Sequence, residues 1–485
     1  MKKYLSPRHF DYNLIVIGAG SGGLVSAYIA AAVKAKVLLI EKHAMGGDCL
    51  NTGCVPSKAL IRSARMLAYA RRASDFGFKD TSVNYDFAEV MERVQRVIGK
   101  IAPHDSIERY TGLGVEIIQG EAHLRSPYEV EVNGKSYTTR NIIIASGAHP
   151  TIPDLPGLDQ VDHLTSDTLW ELRQRPQRFL VLGGGPIGCE LAQCFTRLGS
   201  AVTLVQRGEQ LMPREDSEVA AMVQQRFVAE GVNVLTDHNA LRFETNNNEQ
   251  QLICEHQGHE ISIGFDKVLI ALGRRANTRG FGLEALDISL DPQGTIANDA
   301  FMRTNHPNIY VCGDVAGPYQ FTHTAAHQAW YAAVNALLNP LKKFRVDYSV
   351  IPWATYTDPE VARVGLNERD AQQNNIPYEV TTYNIDDLDR AITDNEDHGL
   401  VKVLSVPGKD RILGVTIVGN HASDLIAEFV LAMKHGLGLN KILGTIHIYP
   451  TMAEANKYAA GAWKKAHTPE RLLRWVERFH RWRRG

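Results

Sequence analysis

The chain has 485 residues, 52 Lys and Arg against 54 Asp and Glu, and a formal net charge of −2. That balance gives no footprint for a nucleic-acid partner, no apolar run reaches the length of a membrane span, and the length implies roughly two to four domains. Six cysteines with one close pair read as a cytoplasmic protein carrying a redox or metal-binding pair rather than a secreted scaffold, and residues 1–8 are too short and polar for a secretory signal.

In chain order, residues 14–17 form a buried strand, Gly18, Gly20 and Gly23 punctuate the turn after it, and a helix follows over 24–33. A second strand at 36–40 ends on Glu41, 18 residues after Gly23. In that setting the glycines admit a pyrophosphate to the helix N-terminus, and Glu41 accepts from a ribose hydroxyl pair. Residues 46–58 read Gly-Gly-Asp-Cys-Leu-Asn-Thr-Gly-Cys-Val-Pro-Ser-Lys. Pro56 suits the first turn of a helix that continues over 59–73. Cys54 then lies at the positive end of a helix dipole, which favours its thiolate. A dithiol of Cys49 and Cys54 can open and close as a disulfide, one sulfur attacking substrate and the other taking electrons from a cofactor. Lys58 follows one turn beyond Cys54.

An amphipathic helix is predicted over 87–101 and strands over 115–118, 128–132 and 137–144, the last running into Gly147. A proline-rich connector at 151–157 marks a boundary. The first unit then starts again: a strand at 180–182, a turn carrying Gly183, Gly185 and Gly188, a helix over 189–198, and a strand at 201–205 ending on Gln206. The repeat lies 165 residues downstream with the same internal spacing, and two fingerprints imply two bound dinucleotides. Gln206 stands where an acid holds a free ribose, and Arg207 follows. Loss of the carboxylate removes repulsion against a 2′-phosphate that an arginine can clamp, which points to NADPH; the alternative is a solvated Arg207 with Gln206 bonding NAD.

The strand at 268–272 runs into Gly273 much as 142–146 runs into Gly147, and another over 308–312 reaches Asp314, placed to accept from a cofactor's polyol chain. A helix over 322–338 leads to a boundary near residue 340. From 349 onward, strands at 379–384, 399–405 and 412–418 with helices at 423–435 and 440–443 predict an α+β unit without a nucleotide signature. Its last marked stretch holds His447, Tyr449 and Glu454, and a basic helix closes the chain over 470–484. Cys189, Cys194, Cys254 and Cys312 read as buried structural residues, and Cys49 and Cys54 lack the second Cys/His pair of a zinc site, so no resident metal is expected.

Gly-Gly-x-Cys, four residues and Cys-Val-Pro-Ser-Lys, set between two dinucleotide fingerprints, resemble the class I pyridine nucleotide–disulfide oxidoreductases. These flavin disulfide reductases include dihydrolipoamide dehydrogenase, glutathione reductase and mercuric reductase, and the resemblance spans about residues 10–465. It implies an α/β fold: an FAD-binding domain over 10–150 and 275–345, an NAD(P)-binding domain over 151–274, both Rossmann-like, and a dimerisation domain over 346–465, before the basic helix of 466–485. FAD is expected at Gly18, Gly20, Gly23, Glu41, Gly47, Lys58, Gly147 and Asp314. NADPH, or NADH, is expected at Gly183, Gly185, Gly188, Gln206, Arg207 and Gly273. The implied chemistry moves electrons from NAD(P)H through flavin to the Cys49–Cys54 disulfide, entering at Cys54 and leaving Cys49 to attack substrate. Lys58 and Glu190 are the implied ion pair beside the flavin's reactive nitrogen, and Tyr449 and Glu454 of one subunit of a homodimer serve the dithiol of the other.

Where disulfide reductases of this family carry a histidine before the proline of the final motif, this chain has Tyr449. A tyrosine titrating near about 10 shuttles protons poorly at neutral pH, unlike a histidine near about 6.5. His447 is an alternative base, weighed against a structural role, and Glu454 is then a helix-start acid. Tyr449 and the stretches 190–193 and 351–360 resemble mercuric reductase more than dihydrolipoamide dehydrogenase. A metal ion held by two thiolates needs no proton shuttle, so a small disulfide or a thiol-bound metal is the expected substrate. No cysteine follows Cys312, so the thiolate relay that delivers mercury in that enzyme is expected to be missing. Dihydrolipoamide dehydrogenase-like or quinone-reducing diaphorase activity is the alternative, and a membrane-associated redox sensor with negligible turnover is the reading from another class. Residues 464–485 carry a charge of +6, with Leu472, Trp475, Val476, Phe479 and Trp482 at helical spacing; this helix either docks on its own acidic dimer surface or makes peripheral contact with an anionic membrane.

Overall fold

The computed structural model of the chain describes residues 4–79, 81–247 and 249–485. They divide into two compact units, one of residues 4–73, 79–207 and 238–347, the other of 74–78, 208–237 and 348–485.

The first unit is built on Tyr12–Ile17. This strand pairs in parallel with Val37–Glu41, Leu14 opposite Val37, and with Lys135–Ile144, Ile17 opposite Ile144. Val115–Gln119 extends the sheet beyond Val37–Glu41, and Ile309–Val311 lies parallel to the end of Lys135–Ile144. Strands buried on both faces carry continuous Val, Ile and Leu, because their side chains meet packed elements on both sides. Ser21–Ala32 packs on Thr322–Leu338, and both bury alanines (Ala27, Ala30 and Ala31; Ala329, Ala332 and Ala333), small side chains that let two helices approach.

Arg178–Leu182 repeats the arrangement, with Ala201–Val205 and Lys267–Ile270 as parallel neighbours. The helices Ser21–Ala32 and Pro186–Arg197 begin and end 165 residues apart. Both start three residues before the sequence reading places them, because Gly22, Gly23 and Gly188 belong to the helices rather than to the turns. A Cβ on Gly23 would lie 1.7 Å from the Gly18 carbonyl oxygen, and one on Gly188 would lie 1.9 Å from that of Gly183. The first turn of each helix can therefore fold back onto its strand only where the side chain is absent. An antiparallel sheet of Asn239–Asn246, Glu249–His256 and His259–Phe265 is an addition to the predicted elements; its strands are polar and largely half-exposed, so they carry little apolar alternation.

The second unit is an antiparallel sheet ordered Pro352–Thr355, Glu360–Gly365, Ile412–Gly419, Leu400–Ser405, Glu379–Asn384. Strand alternation sends Ala362, Val364, Val401, Val403, Val415 and Ile417 into an apolar core with Phe429 and Trp463. Phe429 lies on Ala422–Lys434, and Trp463 on Glu454–Ala466, a helix whose start the sequence reading marked at Glu454 but whose length it did not give. The intervening positions Arg363, Lys402 and Thr416 are buried on the other face. There Lys402, 1% exposed, meets the carboxylates of Asp216 (2.9 Å), Glu218 (2.5 Å) and Glu368. Arg363, 3% exposed, lies 3.2 Å from Glu215 and 2.8 Å from Asp370, and its guanidinium stacks 4.3 Å from the Trp353 ring centroid. Burial pushes the Glu215 carboxyl above its usual range, opposed by Arg363 and the Trp353 N–H. These charges fasten residues 208–237 to the sheet of their own unit.

Replacing Lys402 with Met should lower stability by ~3 kcal/mol, because Asp216 is left buried without a cation, held only by the Glu368 and Arg369 N–H groups at 3.3 Å. Glu218→Gln, which removes a half-exposed partner, should cost ~1 kcal/mol or less. Urea unfolding of the two variants checks this order, and equal losses would contradict it.

Candidate active site

The first glycine turn lies at the carboxyl ends of the parallel strands. Gly18 has φ +100°, and a Cβ there would lie 2.3 Å from the Ala145 carbonyl oxygen. Gly20 caps Ser21–Ala32 with no side-chain hydrogen bond, and no acid lies in the first turn, so the helix presents its N–H groups to an anion. Glu41 is buried; its Oε2 accepts from the Ala19 N–H (2.6 Å) and its Oε1 from the His43 N–H (2.8 Å). The repeat reproduces this wiring: Gln206 Oε1 accepts from the Gly184 N–H at 2.9 Å. Gly185 caps Pro186–Arg197 in the same uncapped, acid-free manner. Arg207 is exposed beyond Gln206. Gly147 (φ +68°) and Gly273 (φ +101°) directly precede the paired antiparallel strands Ala148–Pro150 and Arg274–Ala276, and a Cβ on either would meet nothing within 4 Å.

The dithiol segment seats directly on the first turn. Gly46 has φ +88° and Gly47 φ +57°, and a Cβ on Gly47 would lie 2.7 Å from Gly20 Cα. A short helix, Gly47–Asn51, carries Cys49, and Cys54 is the first residue of the helix Cys54–Arg71. This helix begins at the cysteine, with Pro56 inside the first turn as expected, where no intrahelical N–H is lost, and it ends at Arg71. Both thiols are free; Cys54 is exposed and Cys49 partly buried. The Thr322 hydroxyl lies 3.3 Å from Cys54 Sγ. A hydrogen bond from Cys49 lowers the Cys54 thiol to about 6, with Thr322 and the Lys58 charge adding to it and burial opposing. The same hydrogen bond, burial and the neighbouring thiolate push Cys49 far up. One sulfur is thus set as a thiolate and the other as its protonated donor.

Lys58, one turn on, meets Glu190 of Pro186–Arg197 at 2.9 Å, with Glu190 buried and Lys58 partly open. Two residues that the sequence reading passed over, Thr322 and Arg274, belong beside this group. Thr322 opens a helix whose bounds were legible but whose first hydroxyl carried no signal. Arg274 hydrogen-bonds the Ala148 carbonyl at 2.7 Å, pairs with Asp48, and lies 3.9 Å from Asp314; its only marker was its place after Gly273. Burial pushes the Asp314 carboxyl up to about 6, with Arg274 opposing and Asp48 and Cys54 reinforcing it. Burial likewise raises Asp48.

In the second unit, the exposed Tyr449 hydroxyl donates to Asp389 at 2.8 Å, and that carboxylate raises the phenol. His447 contacts the Thr445 carbonyl through Nδ1 (3.0 Å) and Glu428 through Nε2 (3.0 Å). Glu454 is the buried first residue of its helix, and its Oε2 accepts from the Thr451 N–H at 3.3 Å. Cys189, Cys194, Cys254 and Cys312 are all buried. Burial pushes Cys254 up to about 11 and Cys194 and Cys312 up to about 12. They are inert thiols.

Two uncapped helix N-termini behind glycine turns, with an activated dithiol against one of them, define a nucleotide-dependent thiol–disulfide oxidoreductase. Residues 12–329 match the family described as pyridine nucleotide–disulphide oxidoreductase, and residues 351–460 match that family's dimerisation domain. The chain therefore belongs to the pyridine nucleotide–disulfide oxidoreductases, FAD-dependent enzymes that use NAD(P)H, and its dimerisation domain makes it a homodimer. It is 32% identical to a mercuric reductase of Staphylococcus aureus, over 93% of this chain and 82% of that protein. It is 34% identical to a dihydrolipoyl dehydrogenase of Chlamydia muridarum, over 91% and 95%. The HOCl-induced flavoprotein disulfide reductase RclA of Escherichia coli superposes with a TM-score of 0.83 at 26% identity, over 93% and 99% of the two chains. Among the described residues, no helix is long and apolar enough to cross a membrane.

Thr322→Val removes a donor to the Cys54 thiolate and should raise that thiol by roughly half to one pH unit. Thiolate absorbance of the dithiol form against pH reads the shift. In the parent protein the thiolate signal is lost as pH falls through about 6, and an unmoved midpoint in the variant would remove Thr322 from the account.

Proposed function

We propose that the enzyme uses NADPH to open the Cys49–Cys54 disulfide and then reduces a thiol-bound soft metal ion held by both sulfurs, with small disulfides as secondary substrates. The reading rests on one observation above the others: the two thiols are split into a thiolate and a proton-bearing partner, while Tyr449 is tied to a carboxylate that holds its proton in place. Disulfide exchange releases two thiolates that require protons. A thiophilic divalent ion binds both sulfurs directly, and the proton it displaces from Cys49 is then available to a carrier thiolate that it leaves.

In this assignment Gly18, Gly20, Gly23, Glu41, Gly47, Gly147 and Asp314 hold FAD, which when bound supplies the two-electron relay between NADPH and the dithiol. The fit is supported by the acid-free helix N-terminus for a pyrophosphate and the open space before Gly147. Lys58, held by Glu190, places a cation where negative charge develops on reduction. Two electrons from one NADPH open the disulfide to the Cys54 thiolate and the Cys49 thiol. The ion then passes from its two carrier sulfurs to Cys49 and Cys54, and the carriers depart, one taking the displaced Cys49 proton and the other a proton from solvent. Two electrons from a second NADPH reduce the ion to metal, which leaves the dithiol. With a disulfide substrate, Cys49 attacks one sulfur, Cys54 attacks Cys49, and two thiols depart as the internal disulfide re-forms. Tyr449 and Glu454 line the partner's dithiol as orienting groups, and His447, whose two ring nitrogens are both engaged, is structural. Free thiols and NADPH fit a reducing cytoplasm.

Gly183, Gly185, Gly188 and Gly273 frame the NADPH site. The Gln206 carbonyl is occupied by Gly184 N–H, which leaves its amide N–H groups as donors for a 2′-phosphate, with Arg207 beside it. Gln206→Glu with Arg207→Ala should raise the KM for NADPH at least tenfold and lower that for NADH; unchanged KM values would leave the pair without a role in cofactor choice.

The acceptor is tested by reducing the holoenzyme anaerobically with NADPH and following the long-wavelength absorbance of a thiolate beside oxidised flavin. Thiol-complexed Hg²⁺ should consume further NADPH at least tenfold faster than lipoamide or glutathione disulfide. Equal or faster turnover of a disulfide would overturn the metal reading. Failure of the band to form would overturn the role of the dithiol itself.

A further inference from the structure

The helix Glu470–Arg483 takes no part in the chemistry above and lies beyond the matched dimerisation domain, which ends at residue 460. It begins from a fixed point. His467 stacks on Trp463 with ring centroids 4.3 Å apart and lies 3.0 Å from Glu379, so the preceding helix is pinned to its sheet. Past Pro469 the pinning stops, and no residue of the last helix is buried.

Its two faces differ sharply. At 100° per residue, Leu472, Trp475, Val476, Phe479 and Trp482 fall within an arc of about 120°. Trp475 and Phe479 stack at 5.9 Å and Phe479 meets Trp482 at 6.0 Å, so the arc is a continuous aromatic strip. Trp475 is 63% exposed and Trp482 76%. Arg474 and Arg481, with Glu470 and Glu477, occupy the opposite side, Arg471 and Arg478 flank the strip next to Trp482, and Arg483 lies at its end over the Phe479 ring. Residues 464–485 carry eight Lys and Arg against two Glu, within a chain whose net charge is −2.

We infer that this helix is a peripheral membrane anchor that lies in the plane of an anionic lipid surface. Three properties favour lipid over a protein groove. The charge is concentrated in the one segment whose apolar face is open, which gives attraction to acidic headgroups together with insertion. The apolar strip is rich in tryptophan, whose ring settles at the boundary between acyl chains and headgroups. The helix is too short and too charged to span, so it gains by lying flat, with arginine stems reaching to the phosphates while the rings insert. The inference stands apart from the choice of substrate.

The test is flotation of the full-length holoenzyme with vesicles of phosphatidylcholine alone and of phosphatidylcholine with about one third phosphatidylglycerol. Binding is expected to the anionic vesicles only, and to fall at least tenfold in 0.5 M salt. Trp475→Ala with Trp482→Ala, and separately Arg474→Glu with Arg478→Glu, should each weaken it at least tenfold while leaving NADPH-dependent turnover in solution unchanged. Failure of the parent protein to float with anionic vesicles would overturn the inference, as would flotation of the variants at parental levels. A change of oligomeric state in the tryptophan variant without loss of lipid binding would assign the strip to a second copy of the chain instead.

Discussion

The close approach of Gly47 to Gly20 governs the geometry of the site. Gly47 tolerates no side chain, since its φ is +57° and a Cβ there would sit 2.7 Å from the Gly20 Cα. The Gly46 N–H completes the contact by donating to the Ala19 carbonyl at 2.9 Å, and Asn51 ties the segment to itself through the Met45 and Gly47 carbonyls. On its far side the Trp170 N–H reaches the Thr52 carbonyl at 2.8 Å. A cysteine pair on a free loop would sample many positions. Here the turn that receives a nucleotide and the segment that carries the sulfurs are one packed object, so the position of the dithiol is set by the strand that begins the fold.

That placement separates two chemically identical side chains. Cys54 starts a long helix, faces the Thr322 hydroxyl and stands one turn from Lys58, so each neighbour favours its negative charge. Cys49 sits in a short helix and has that charge as its neighbour, which keeps its proton on. The pair shares one proton in an ordered way, and the order comes from the hydrogen bond between the two sulfurs, with the Thr322 hydroxyl and the Lys58 charge favouring Cys54 as the thiolate. Lys58 does not act alone here. Its ammonium is held by Glu190 from the second glycine unit, so the two halves of the repeat meet at the dithiol helix.

Much of this was legible in the sequence, for specific reasons. The repeated spacing from Gly18 to Glu41 and from Gly183 to Gln206 reappears as the same hydrogen bond from residue 19 or 184 to the residue ending the second strand. The helices at Phe87–Ile101 and Thr322–Leu338 have the predicted bounds, since their apolar spacing runs the full length of the helix. Other features left no periodic trace. Thr322 and Arg274 act through single polar atoms that only tertiary proximity brings to the site. Residues 208–237 look like an ordinary polar stretch, yet Glu215 and Asp216 are buried there because Arg363 and Lys402 alternate with valine and alanine on the strands of the same unit. A one-dimensional pattern reads charge as surface, and paired charges under a sheet break that rule.

The last motif shows how far a substitution at one position reaches. Histidine before the proline would bring a group that titrates near neutrality, whereas Tyr449 brings a phenol whose proton is held by Asp389 and whose acidity is pushed further from neutrality by it. His447, two positions away, has both its ring nitrogens engaged, by the Thr445 carbonyl and the Glu428 carboxylate. Glu454, freed from a histidine partner, turns inward and accepts a backbone N–H at the start of its helix. The segment has become a structural cap with an exposed phenol and two exposed isoleucines, Ile446 and Ile448, on its outer side.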